Sequence, residues 1–132
     1  MQLPTLKIAA FLAAALSSMA TATVYTGTIM TSSGNGYYYG VWNYAWVNGV
    51  KLDTICPPNI QHDHIISSPN ENPCGRNFCA APGNCGYELR GCGGDLQLYK
   101  DGKFNSNCHY EKKKVGCPHQ PEVYIQQNWA CY

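Results

Sequence analysis

The chain has 132 residues, with 9 Lys plus Arg, 8 Asp plus Glu and eight cysteines. Lys7 lies in the amino-terminal segment 1–22, and the remaining residues 23–132 hold 8 basic residues against 8 acidic ones. A neutral domain lacks the excess positive charge on which nucleic-acid binding and cationic membrane lysis depend. We therefore expect no nucleic-acid partner, and membrane lysis is disfavoured.

The amino terminus has the composition of a secretory signal peptide. Lys7 precedes an apolar run, Ile8–Leu16, which is shorter than the ~20 apolar residues that span a bilayer. Small residues follow it, and cleavage fits after Ala20 or Ala22. We predict a signal peptide over 1–22, a single domain over 23–132, and an exported protein with no membrane span.

The first part of that domain, up to Ile55, has no cysteine and is rich in Tyr, Trp, Val and Thr, which favour strands. Within it, Asn48-Gly49 is a strong signal for a tight turn. We predict a β-hairpin from Tyr37 to Leu52. One face of its first strand would carry Tyr38, Trp42, Tyr44 and Trp46.

The middle part, from Cys56 to Gly94, is rich in Pro, Asn and Gly. These residues favour loops and turns, so we predict a looped region held by disulfides. One helical turn is expected near Asn77 to Ala81.

Strand signals return from Asp95 onward. Asp101-Gly102 separates two arms of extended character and predicts a second hairpin. The tail alternates, and one face is expected to hold Val123, Ile125, Trp129 and Cys131. The predicted fold is mainly β: a small antiparallel β domain stapled by disulfides, with a looped cysteine-rich middle and little helix.

All the cysteines lie in the predicted domain. They are Cys56, Cys74, Cys79, Cys85, Cys92, Cys108, Cys117 and Cys131. An even set in an exported protein predicts four disulfides, and on the order of a hundred pairings remain open. Zinc ligation is the alternative, but export and the lack of a two-residue spacing argue against it.

Histidines supply the only pattern that suits metal or acid–base chemistry. In an extended segment, His62 and His64 would face the same side, and His109 could complete a metal site. Together with Glu88 and Arg90, the pair could also serve a ribonuclease-like reaction, although in no recognised order. We favour structural or surface histidines, and predict no catalytic residue, metal or cofactor.

Aromatic residues are the better functional signal. Six of them crowd into the segment 37–46, and a small β domain cannot easily bury both faces of such a strand. Exposed Tyr and Trp serve as rigid contacts for sugars or proteins, so Trp42 and Trp46 are candidate binding residues. The interpretation that we favour for the crowded rings as a group is that they form the core, in place of scarce Leu and Ile.

The signal peptide, the even cysteine set and the neutral β-rich domain together resemble the small secreted cysteine-rich proteins of filamentous fungi, from which plant-pathogen effectors come. The resemblance implies a non-enzymatic virulence protein that binds a host molecule, in the host apoplast or inside host cells after uptake. The expected partner is a host protein or a cell-wall glycan; a second secreted protein is an alternative.

A local resemblance points to the peritrophin-type chitin-binding module. The similar elements are Cys85-Gly86-Tyr87, Gly102-Lys103-Phe104-Asn105 and Cys108-His109-Tyr110, followed by Cys117. This chain lacks the family's cysteine before the glycine element, so its pairing is not carried over. The resemblance implies sugar stacking on Tyr87, Phe104 and Tyr110. Carbohydrate binding is thus the alternative function, and a secreted toxin or ribonuclease-like protein is a further one.

Overall fold

The computed structural model describes residues 22–132, which form one sheet of eight strands. The strands are β1 Val24–Ser32, β2 Tyr38–Val47, β3 Ile65–Ser67, β4 Asn77–Phe78, β5 Tyr87–Arg90, β6 Gln97–Lys100, β7 Lys103–Cys117 and β8 Gln120–Cys131. Two short 3-10 helices, Leu52–Thr54 and His62–His64, lie between β2 and β3. The prediction of a mainly antiparallel β domain with little helix is confirmed. The predicted signal peptide lies outside the described residues except for Ala22.

The strands follow the order β3-β2-β1-β8-β7-β6-β5-β4, and every neighbouring pair is antiparallel. Strand β7 joins the two halves, since its beginning pairs with β6 and the part from Cys108 onward pairs with β8. The sheet curls until its two edge strands, β3 and β4, come into contact. Beside them, the Cys79 N–H donates to the Asp63 carbonyl at 2.7 Å. This curvature encloses one face of the sheet and leaves an open mouth at its end.

Two apolar cores lie on opposite faces of the sheet. The inner core fills the curl, and its largest members are Val24, Ile66, Phe78, Tyr87, Leu89, Leu96 and Leu98. The outer core contains Ile29, Tyr44, Trp46, Ile55, Val123 and Ile125. The segment after β2 covers the outer core. Burial of each large apolar side chain stabilises the fold by roughly 1.5–3 kcal/mol, which favours this double-sided arrangement.

Four disulfides use all eight cysteines, as predicted: Cys56–Cys117, Cys74–Cys92, Cys79–Cys85 and Cys108–Cys131. The first attaches the covering segment to the end of β7. The last joins residues that lie directly opposite each other in β7 and β8. No helix among the described residues is long and apolar enough to cross a membrane.

The hairpin predicted from Tyr37 to Leu52 is wrong. Asn48 and Gly49 do form a turn, with Gly49 at φ 84°, but no strand follows it. Strand β2 pairs instead with β1, from Val24 opposite Val47 to Ser32 opposite Tyr38. The reason is length: nine residues of β1 offer far more ladder bonds than the few residues between Gly49 and Cys56.

The second predicted hairpin is confirmed. Asp101 and Gly102 connect β6 and β7 and have positive φ values of 52° and 79°. A two-residue hairpin turn with both φ values positive matches the twist of the flanking strands. The local turn signal predicts this hairpin correctly because the two strands beside the turn, β6 and β7, pair with each other.

Two further predictions need correction. The helical turn at Asn77 to Ala81 is absent, because Asn77 and Phe78 form β4 and Phe78 enters the inner core. The predicted strand at the tail exists as β8, but its apolar residues do not share one face. Val123 and Ile125 enter the outer core, whereas Trp129 and Cys131 lie at the inner core.

Candidate functional site: a tyrosine-rich hairpin tip

The hairpin of β1 and β2 ends in a tip, Ser32–Tyr39, that contains only Ser, Gly, Asn and Tyr. We call it the tyrosine tip. From Ser33 to Tyr39 every residue is exposed. These four residue types are enriched in antibody binding loops, where Tyr supplies contact area and the small polar residues supply adaptable hydrogen bonds. The composition and exposure of the tip are therefore typical of a contact surface for proteins.

Hydrogen bonds within the tip restrain its backbone. The Asn35 Oδ1 accepts from the Tyr37 N–H at 3.2 Å and from the Ser33 hydroxyl at 3.0 Å. The Gly34 N–H donates to the Ser32 Oγ at 3.2 Å. A loop held in one conformation loses less entropy on binding, which favours affinity.

The base of the tip is fixed to β8. The Tyr38 hydroxyl donates to the Pro121 carbonyl at 3.1 Å, and its ring lies edge-on to Tyr124 with centroids 5.0 Å apart. The Lys114 Nζ lies 4.4 Å from the Tyr124 centroid and 5.8 Å from that of Tyr38. An ammonium group over aromatic faces is attracted by the ring quadrupoles. These contacts make Tyr38 the anchor of the tip.

The two flanking tyrosines are presented to solvent. Tyr37 is 77% exposed and Tyr39 is 54% exposed, against 39% for Tyr38. Successive residues of a strand face opposite sides, so Tyr39 lies on the face away from the Tyr38 anchor. Two large, rigid rings on a restrained loop can bury much area at low entropic cost.

Three of the five predicted binding residues belong to the cores and not to a common surface. Trp46 and Tyr87 are buried, at 5% and 7% exposure, and stack on Tyr25 and Phe78 respectively. Trp42 is half-buried at the edge of the outer core. In this structure these three residues serve the cores.

Phe104 and Tyr110 are exposed but do not form one surface. Phe104 pairs with Tyr99 across β6 and β7, next to the buried Leu98, so it lies on the outer side of the curl. Tyr110 packs edge-on against Trp129, at 5.3 Å between centroids, on the inner side. A single sugar chain stacked on both rings would have to pass around the sheet.

The histidine pattern does not form the predicted geometry. His62 and His64 lie in a 3-10 helix instead of an extended segment, and His64 is 2% exposed. The His64 Nδ1 donates to the Ala45 carbonyl at 3.1 Å, so this nitrogen is not available to a metal. Within residues 22–132, Asp63, Cys79 and Cys85 bring ligand-type atoms together, but both sulfur atoms belong to one disulfide.

Burial also sets the protonation of this region. Desolvation lowers the pKa of His64 below 6.5, against the opposing effects of the Asp63 carboxylate and the Ala45 carbonyl. Burial raises the pKa of Tyr44, whose hydroxyl accepts from the Gln61 N–H. His64 is therefore a neutral structural residue. On β5, the half-buried Glu88 carboxylate is paired with the exposed Arg90 side chain at 3.1 Å.

Tyr37 and Tyr39 are not among the binding residues predicted from the sequence, although their rings are the most exposed of the tyrosine tip. The available signal was their context, since the segment that they flank directly follows Ser-Ser-Gly-Asn-Gly.

The sequence matches no protein-family model, and neither a curated protein nor a solved structure is significantly similar to the chain.

Proposed function

We propose that this chain is a secreted, non-enzymatic virulence protein of the fungal effector class that binds a host protein through the tyrosine tip. The observation that carries the proposal is the restrained tip of Ser, Gly, Asn and Tyr, exposed from Ser33 to Tyr39, with Tyr37 and Tyr39 presented to solvent. Four disulfides suit an oxidising, extracellular location.

The arrangement of aromatics favours a protein partner over a polysaccharide. A polysaccharide binder presents rings in a flat row that matches successive sugar units. Here Tyr38 and Tyr39 face opposite sides of a strand, and Phe104 and Tyr110 lie on opposite sides of the curl. Protruding rings that point in several directions suit the irregular surface of a protein.

The test uses the oxidised chain from Thr23, immobilised and exposed to plant apoplastic fluid. Two variants are compared with it: Tyr37→Ser with Tyr39→Ser, and Phe104→Ser with Tyr110→Ser as the matched control. The control removes two rings of similar exposure, 53% and 63%, and these are also the rings implicated by the chitin-module resemblance. A captured host protein is identified by mass spectrometry, purified, and titrated against each form.

We expect the tip variant to lose at least about tenfold in affinity for that host protein, since central tyrosines of an interface each contribute more than about 1 kcal/mol. The control variant should bind as the unaltered chain does. Depletion by insoluble chitin, cellulose and xylan forms the second arm. Binding to a polymer that only the control variant loses would contradict the proposal and favour the carbohydrate alternative.

A further inference from the structure

A cavity of about 190 Å³ opens at the mouth of the curled sheet, and we call it the mouth cavity. Its floor belongs to β1, β2 and β8, and its roof belongs to the loops around the Cys74–Cys92 disulfide. The lining residues that matter below are Gly27, Asn43, Gly94, Asn128 and Trp129. Mouths of curled or closed sheets are frequent ligand sites.

A β-bulge in β8 shapes this cavity. Thr26 pairs with Trp129 and Gly27 pairs with Gln127, which leaves Asn128 without a partner in β1. In a regular strand Asn128 and Trp129 would face opposite sides, yet both line the cavity. Bulges redirect side chains in this way beside functional sites.

Glycine at position 27 makes the bulge possible. A Cβ atom there would overlap the Gln126 carbonyl and press on the backbone of Gln127. The close approach of β1 and β8 accommodates the bulge, and both Asn128 and Trp129 line the cavity as a result.

A chain of hydrogen bonds orients the polar groups of the floor. The Asn128 Nδ2 donates to the Thr28 Oγ1 at 3.4 Å, and the Thr28 hydroxyl donates to the Asn43 Oδ1 at 3.4 Å. The Asn43 Nδ2 then donates to the Ser67 Oγ at 2.9 Å. A carboxamide has two donor hydrogens and an acceptor oxygen, so Asn128 keeps capacity for a ligand after this one long bond.

The lining defines the ligand class. It includes no Asp, Glu, Lys, Arg or His side chain, and an unpaired charge would be costly to bury there. The volume is below the roughly 300 Å³ at which pockets for drug-sized ligands begin, so one ring fits. An indole ring can stack on the apolar face of a pyranose. Amide and hydroxyl groups can form hydrogen bonds with the hydroxyl groups around the edge of the sugar.

We propose that the mouth cavity binds a single uncharged pyranose, either a free sugar or the terminal residue of a glycan. Trp129 forms the stacking wall and Asn128 hydrogen-bonds the sugar hydroxyls. The site is separate from the tyrosine tip, and neither proposal depends on the other. A ligand of this size is expected to bind with a dissociation constant on the order of 1 mM.

The test titrates the oxidised, ¹⁵N-labelled chain with methyl β-D-glucopyranoside, free glucose, N-acetyl-D-glucosamine and glucuronate, followed by amide and indole NMR shifts. Asn128→Leu removes the amide. Gly94→Leu places a side chain in the mouth, where a Cβ meets nothing closer than 3.9 Å. Asn105→Leu makes the same chemical change on the exposed surface of β7 and is the matched control.

We expect a neutral sugar to shift the Trp129 indole and the Asn128 amide signals. Affinity should fall at least about tenfold in Asn128→Leu and in Gly94→Leu, remain unchanged in Asn105→Leu, and be weaker for glucuronate. Tighter binding of the methyl glycoside than of free glucose would identify the terminal residue of a glycan as the ligand. Equal binding of the two would indicate that the site recognises only the pyranose ring. The proposal is overturned if no neutral sugar shifts these signals, if Gly94→Leu still binds, or if glucuronate binds as tightly.

Discussion

Removing the Cys56–Cys117 disulfide should destabilise the protein more than removing any other bridge. The two cysteines are 61 residues apart in sequence, so the bridge closes the longest loop of the four. The loop-entropy relation gives about 4 kcal/mol for a loop of this length at room temperature. Cys79–Cys85, with a separation of 6, gives about 2 kcal/mol by the same relation.

The comparison therefore uses Cys56→Ala with Cys117→Ala against Cys79→Ala with Cys85→Ala. Guanidinium unfolding of each oxidised protein, followed by tryptophan fluorescence, measures the free energy of unfolding. We expect the first variant to lose about 2 kcal/mol more than the second. Both sulfur atoms of the long bridge also belong to the outer core, so the loss of packing acts in the same direction.

Mass spectrometry after alkylation without reduction checks that the three remaining bridges are intact in each variant. Equal destabilisation of the two variants, or a larger loss for Cys79–Cys85, would refute the loop-length argument. In that case native packing around each bridge, not restriction of the unfolded chain, would govern stability.

Two other predictions concern Gly27 and His64. Gly27→Ala should destabilise the fold by about 2 kcal/mol or more, because its Cβ would overlap the Gln126 carbonyl; unchanged urea unfolding would show that β8 can shift away at no cost. Because burial lowers the pKa of His64 in the folded state, the unfolded chain binds more protons below pH 6.5, and the free energy of unfolding falls as pH decreases from there. Unfolding curves measured at several pH values should show this slope in the unaltered chain and in the exposed-site control His62→Gln, at most about 1.4 kcal/mol per pH unit. The slope should be absent in His64→Gln, and a slope that persists there would assign the effect to another titratable group.

Turn chemistry predicted one hairpin correctly and misplaced another. Asp101-Gly102 and Asn48-Gly49 are equally good turn signals, and both form turns. Asp101-Gly102 lies between β6 and β7, which pair with each other. The strand before Asn48 is β2, and it pairs with β1, which is longer than the segment between Gly49 and Cys56. A turn signal reports where the chain reverses, but competition between strands decides which pair forms.

The candidate sites show the same limit. The sequence shows that the aromatics are crowded between Tyr37 and Trp46, but not which of them are exposed. Tyr44 and Trp46 enter the outer core because the segment around Ile55 covers that face. Tyr37 lies beyond the reach of either core.

The mouth cavity could not be predicted from the sequence at all. Period-two alternation assigns Asn128 and Trp129 to opposite faces, and only the bulge opposite Gly27 brings them together. A bulge depends on the register of two strands that are about a hundred residues apart in the chain, so no local pattern reveals it.

The sequence by itself determined the mainly β class, the four disulfides and the turn at Asp101-Gly102. Each of these depends on residue propensity, on the even number of cysteines or on adjacent residues. Only the tertiary structure decided the disulfide pairing, the partner of β2 and the exposure of each aromatic. These outcomes depend on which distant segments bury each other's apolar faces, because burial and strand pairing are energies of the whole fold and not of neighbouring residues.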